Sequence, residues 1–235
     1  MSRLTQGVLL LLFGGALLRA SFTDLYLRYV KEGLQPFLIA TGVLLVAAAV
    51  MTIWYSFRSS RHSASEEHDH APGVGWLLIL PVLGLLLVAP PALGSYAASQ
   101  AGSVVAAPVG DSSYPPLPEG DPAELSILDY ASRALFDSGK SLSGRDLRMT
   151  GFITTAPDGK PMLARIVLSC CAADGRPIKL GLSGSAPIDV PADTWVEVVG
   201  VYTAQTTKDP VNNVDVAFLE VKTWKEVPQP KQPYA

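Results

Sequence analysis

Phe37-Leu38-Ile39-Ala40-Thr41-Gly42-Val43-Leu44-Leu45-Val46-Ala47-Ala48-Ala49-Val50 is the centre of a stretch, Gly33 to Phe57, that contains no charged side chain. Crossing about 30 Å of hydrocarbon takes roughly 20 apolar residues at 1.5 Å each, so this stretch predicts a membrane span over about 35–57. A second candidate, Val74 to Leu93, is interrupted only by Pro81 and ended by Pro90-Pro91. It predicts a kinked span over 74–93. Trp54, Tyr55 and Trp76 stand at the ends of these segments, at the level where amphipathic rings prefer the headgroups. The uncharged run from Leu4 to Leu18 is shorter. It predicts a span over about 4–22 if Arg19 reaches back to the interface. A cleaved signal peptide is the rival reading, opposed by the bulky Leu18 three residues before a cut after Ala20.

The rest of the chain faces a different solvent. Residues 1–110 hold six Lys and Arg, whereas residues 121–235 hold twelve, together with fourteen Asp and Glu. That slightly acidic balance, with no basic run, does not suggest a phosphate-tracking surface, and nucleic acid is not an expected partner. Gly94 to Ser132 has no Lys or Arg, as expected of a translocated flank, while Arg58 and Arg61 mark the preceding loop as cytoplasmic. Arg19, Arg28 and Lys31 in the first loop run against that rule. The expected protein is a multi-pass cell-membrane protein with an extracytoplasmic C-terminal domain.

Residues 1–94 therefore form the expected transmembrane part. Residues 95–122, rich in Ala, Ser, Gly and Pro, read as an extended tether. Asp121-Pro122-Ala123-Glu124 resembles a cap followed by Pro at the first helical position, with apolar residues at helical spacing to about Ser138. Beyond Gly144 the period becomes two, and strands are predicted at 147–155, 162–171, 178–182, 194–203 and 214–225, between turn signals such as Pro157-Asp158-Gly159 and Asp209-Pro210. Five short strands after one helix fit an OB-like five-stranded barrel over 123–228, since closure removes free edges. Gly151 and Gly200 are placed where a coiled strand needs a bulge or bend. A tail, 229–235, follows.

Candidate chemistry is sparse. Cys170 and Cys171 are the only cysteines and are adjacent. With Asp174 they outline a soft transition-metal or redox site if the strand bends there, because thiolates bind zinc or copper(I). In a regular strand they would instead face opposite sides, Cys170 continuing the inward series of Met162, Ala164, Ile166 and Leu168. His62, His68 and His70 lie among acidic residues in the loop between the second and third spans, a weaker metal-binding pattern. No histidine follows His70, so neither a Ser-His-Asp nor a Cys-His pair can be assembled in the second half. Enzymatic activity is not expected, thiol redox chemistry apart. Trp195, Tyr202, Phe218 and Trp224 are expected to serve the core or a partner contact.

Ser169-Cys170-Cys171-Ala172-Ala173-Asp174, Trp195-Val196-Glu197-Val198-Val199-Gly200 and the closing Pro233-Tyr234-Ala235 together resemble the YcgQ-like permease-subunit family. Gly33-Leu34-Gln35-Pro36 and the Trp76–Pro81 start of the third segment extend the resemblance over nearly the whole chain. It implies an accessory role beside a larger polytopic permease, with an OB-like soluble part and no established reaction. Neither the second nor the third span carries a carboxylate or lysine for a coupled ion site, so a transport pathway within this chain alone is not expected.

Overall fold

The structure, a computed structural model, describes residues 3–59, 80, 83–84, 87–88, 90–105 and 114–235. The third apolar segment lies largely outside the described residues, as do His62, His68 and His70. The chain divides into two compact units, Met1–Pro91 and Ala92–Ala235.

In the first unit, helices α1 (Arg3–Phe22) and α2 (Gln35–Ser59) pack against each other. Both are long and apolar enough to cross a membrane. Their contact depends on small residues: a Cβ on Gly14 would stand 2.9 Å from Val46 Cγ2, and one on Gly42 would stand 2.8 Å from Leu18. Close backbone approach of this kind substitutes dispersion contact for a hydrophobic driving force that lipid cannot supply. Phe37, Leu44, Trp54 and Phe57 point outward, each more than 60% exposed, as lipid-facing side chains do. The Thr41 and Thr52 hydroxyls donate to the carbonyls of Phe37 and Ala48, four residues back, so the helix satisfies its own polar groups.

The second unit contains helices α3 (Ser95–Gln100) and α4 (Ile127–Phe136) and strands β1 (Ala123–Glu124), β2 (Leu147–Thr155), β3 (Pro161–Val167), β4 (Arg176–Gly184), β5 (Trp195–Lys208) and β6 (Asp215–Glu226). The five long strands close in the order β2-β3-β4-β6-β5 and back to β2, with β4 and β6 parallel and the other pairs antiparallel. This is the OB-like barrel expected from the period-two pattern. Leu147, Met149, Leu163, Leu180, Val198 and Leu219 alternate into its interior and are fully buried. At Gly200 the register of β5 against β6 shifts, and a Cβ there would strike the Glu220 carbonyl. At Gly151 a Cβ would stand 2.6 Å from the Ala164 carbonyl, so both glycines serve the coiling of the strands.

The helix begins later than the Asp121-Pro122 signal predicts. Ala123 and Glu124 instead pair in parallel with Leu147 and Arg148 at the edge of β2. The Ala123 and Leu125 amides donate to the Asp146 and Arg148 carbonyls there, so capping passes to Ser126, whose hydroxyl accepts from the Asp129 amide at 3.0 Å. Ile127, Tyr130, Ala131 and Ala134 then face the barrel core at helical spacing.

Where described, the stretch read as a tether and the tail are docked on the barrel. Phe152, Ala164, Ile166 and Trp195 face outward yet are buried, in a second cluster with Ala98 and Tyr234. Apolar residues on both faces of β2 and β3 require an outer cover, and α3 and the tail provide it. Ala235 N donates to the Ile166 carbonyl at 2.9 Å, Leu93 N to the Tyr234 hydroxyl at 2.9 Å, and Ser95 N to Asp193 at 2.6 Å. Arg165 lies over Trp195 and donates to the Gln232 carbonyl.

A buried ion pair holds residues 101–105. Lys179 Nζ is 3.0 Å from Asp209 Oδ2, with side chains 5% and 0% exposed. Ser103 N and Val211 N donate to the same carboxylate, and Lys179 Nζ also reaches the Ala101 carbonyl. Burial alone would raise the Asp209 pKa, but the Val211 amide, Lys179 and the Ser103 amide outweigh it and hold it below the ordinary carboxylate range. A depressed pKa gives stability that is present above the unfolded value, ~3.9, and is lost as the pH falls through the folded one. Removing one partner leaves an uncompensated buried charge. Lys179→Met is therefore expected to cost about 3–5 kcal/mol, and Lys179→Met/Asp209→Asn distinctly less, on thermal unfolding of the full chain in detergent.

Candidate functional site

β3 stops at Val167, where its pairing with Arg176 of β4 ends, and Leu168 is buried in the outer cluster with Ile166 and Tyr234. The next residues turn instead of extending. Asp174 gathers them: its Oδ1 accepts from Ser169 N at 2.8 Å, and its Oδ2 accepts from Cys170 N at 2.8 Å and Cys171 N at 3.2 Å. Three successive amides aimed at one carboxylate form an anion nest. A single 3-10 turn, Ala172–Asp174, follows, with the Cys171 side chain and Asp174 capping each other's backbone.

This bend decides the direction of the thiols. Strand alternation predicted that Cys170 would point inward with Met162, Ala164, Ile166 and Leu168, but those residues lie on the outer face of β3 while Leu163 faces the barrel core; beyond the end of the strand, Cys170 is exposed and Cys171 half-buried. Neither cysteine is a core residue. The sulfurs of Cys170 and Cys171 and a carboxylate oxygen of Asp174 all lie within 4.8 Å of one another.

The electrostatics follow from the nest. The Cys170 thiol, then the Cys170 and Ser169 amides, hold Asp174 far below the ordinary carboxylate range. The same thiol, hydrogen-bonded to Asp174 and to Cys171, is pushed up to about 11. At neutral pH Cys170 is thus a protonated donor to a carboxylate and a poor nucleophile. A soft cation would have to displace the thiol protons, and Cys170, Cys171 and Asp174 would offer it two sulfurs and one oxygen. Asp174 Oδ1 accepts only one of the three amide hydrogen bonds, leaving a lone pair for a metal. Cys170, Cys171 and Asp174 would supply three of the four ligands that a tetrahedral ion takes.

Among the other residues singled out in the sequence, Trp195 packs edge-on against Phe152 with centroids 5.6 Å apart. The Tyr202 ring lies against Gly139, and Trp224 Nε1 donates to the Pro187 carbonyl at 3.2 Å. These three rings serve the fold. Phe218 differs, because it pairs in register with Gly181 on the outer face of the barrel. Sequence reasoning did not find the Lys179–Asp209 pair; Asp209-Pro210 signalled only a turn, and Lys179 had no burial signature because it points away from the core.

Residues 132–235 match the family described as the DUF1980 C-terminal domain, an uncharacterised family. The match covers less than half of the chain and takes in the five long strands and the cysteine loop. No curated protein matches the chain, and no solved structure does.

Asp174→Asn keeps an acceptor but removes the charge that raises the thiol. In Asp174→Asn the pH midpoint of Cys170 alkylation, about 11 in the parent protein, is expected to fall toward the ordinary thiol range, with faster alkylation at pH 8. Equal rates in the two proteins would remove the carboxylate from this account.

Proposed function

We propose that the protein is a non-enzymatic accessory subunit of a larger polytopic permease, anchored by its apolar helices and presenting an extracytoplasmic barrel that holds a soft transition-metal ion at Cys170, Cys171 and Asp174. The observation that carries this reading is the convergence of two sulfurs and a carboxylate within 4.8 Å at an exposed turn. Two helices long and apolar enough to cross a membrane support the anchoring. The absence of Lys and Arg between Gly94 and Ser132 supports placing the barrel outside. With no histidine after His70, and with Cys170 protonated at neutral pH, the barrel has no activated nucleophile of the Ser-His or Cys-His kind. The permease partner rests on the family resemblance.

Binding would release the Cys170 proton. Affinity is therefore tied to pH and falls as acid competes for sulfur. Solvent access favours exchange over permanent retention, which is what passing an ion to a transporter requires.

A second reading, a thiol-based metal-delivery or redox protein acting without a permease, is favoured by the contact between the two thiols, which interact directly. Both readings are separated by purifying the full chain in mild detergent and loading it with Zn(II) or Cu(I). Accessory action predicts one ion per chain, lost in Cys170→Ser/Cys171→Ser, with a polytopic protein co-purifying with both forms. Stoichiometric metal without any polytopic partner would favour delivery or redox. Failure to retain either ion at micromolar excess would remove the metal from the proposal.

A further inference from the structure

The outer face of the barrel carries a second feature, at the opposite end of β3 from the cysteines and roughly 20 Å from them by the rise per residue of a strand. A cleft of about 360 Å³ lies between the β2–β3 turn, Ala156 to Lys160, and the β5–β6 arm around Gln205 to Pro210. Its floor is one row across the sheet: Met162 pairs with Gly181, and Gly181 pairs with Phe218. Because Leu163, Leu180 and Leu219 beside them point inward, this row points out.

Gly181 sets the shape of the floor. A Cβ there would stand 2.5, 2.5 and 2.6 Å from Cε1, Cζ and Cε2 of Phe218. Nearly equal distances to three successive ring atoms mean that the ring lies face-down over the glycine, leaving its other face toward the cleft. The rim is polar, with Gln205, Thr206 and Thr207 on one wall. Its charges are cancelled locally: Lys160 pairs with Asp158 at 2.9 Å, Lys208 with Asp215 at 2.8 Å, and Asp209 with Lys179.

We propose that this cleft binds a neutral carbohydrate of one or two pyranose rings stacked on Phe218. A pyranose presents a flat, weakly positive C–H face to the negative face of an aromatic ring, and its hydroxyls match amide and hydroxyl groups on a rim. The volume lies within the range of small-ligand sites, and the position between two hairpin loops on the outer sheet is the one OB-type barrels use for oligosaccharides. Two rival occupants are disfavoured. Anionic ligands find no net positive charge. An extended peptide finds no free strand edge in the floor, since Met162 is paired with both Thr154 and Gly181, and Gly181 with both Met162 and Phe218. The inference is independent of the metal site.

The test uses the full chain in lipid nanodiscs, free of sugar-based detergent, titrated with cellobiose, maltose and chitobiose and, separately, with inorganic phosphate and a neutral hexapeptide. Saturation-transfer NMR and calorimetry read binding. At least one disaccharide is expected to bind, with affinity reduced tenfold or more in Phe218→Ala and threefold or more in the exposed-wall variant Gln205→Ala, whose melting temperature should match the parent. The proposal is overturned if no disaccharide binds, if both variants bind as the parent does, or if phosphate or the peptide binds and the sugars do not. Should Phe218→Ala not fold, the Gln205→Ala result decides alone.

Discussion

Closure of the barrel through the parallel pairing of β4 with β6 is the constraint from which the rest of the second unit follows. That pairing runs only from Gly181 to Gly184 on β4, so the first half of the strand, Arg176 to Leu180, has β3 on one side and no strand on the other. Unpaired backbone at a strand edge must be covered or wetted. Residues 101–105 cover it: Val104 N donates to the Pro177 carbonyl, and Lys179 N donates to Ser103 Oγ. The buried Lys179–Asp209 pair is the electrostatic counterpart of that cover, fastening β4, residues 101–105 and the turn after β5 to one another. Where the cover ends, the outer face opens into the cleft over Gly181 and Phe218.

The cysteine loop obeys a different economy. Strand geometry would send adjacent side chains to opposite faces. Asp174 prevents this by drawing three consecutive amides onto one carboxylate, which bends the backbone and brings both sulfurs to the same side. The carboxylate that organises the turn also keeps Cys170 protonated. One group therefore both builds the turn and keeps its exposed thiol protonated. A nucleophilic cysteine needs the reverse, a positive neighbour that lowers its pKa.

In the first unit, packing and solvent work in opposite directions on the same two helices. Gly7, Gly14 and Gly42 let the backbones approach closely along one face, while large apolar side chains occupy the other. A helix pair in water would put those large side chains at the contact. Placing small residues inside and large ones outside is the arrangement suited to hydrocarbon, where apolar surface gains nothing by leaving the solvent.

Much of this was legible from residue pattern alone. Uncharged length predicted the two described apolar helices, and the switch to a period of two after Gly144 located all five long strands to within a few residues, because hydrocarbon thickness and pleat geometry act locally along the chain. Gly151 and Gly200 were recognisable as coiling points for the same reason. Other features depend on partners distant in sequence. The helix start passed from Asp121 to Ser126 because the β2 edge claimed the Ala123 and Leu125 amides; a Pro- and Ala-rich stretch and a seven-residue tail were drawn onto the barrel by apolar residues on the outer faces of β2 and β3. Likewise, the turn that carries both cysteines required a carboxylate four residues beyond Cys170, and the platform under Phe218 required a glycine thirty-seven residues upstream. Composition and periodicity determined which segments are apolar, extended or helical; only the tertiary structure decided which faces meet, since register and barrel closure are settled by long-range pairing.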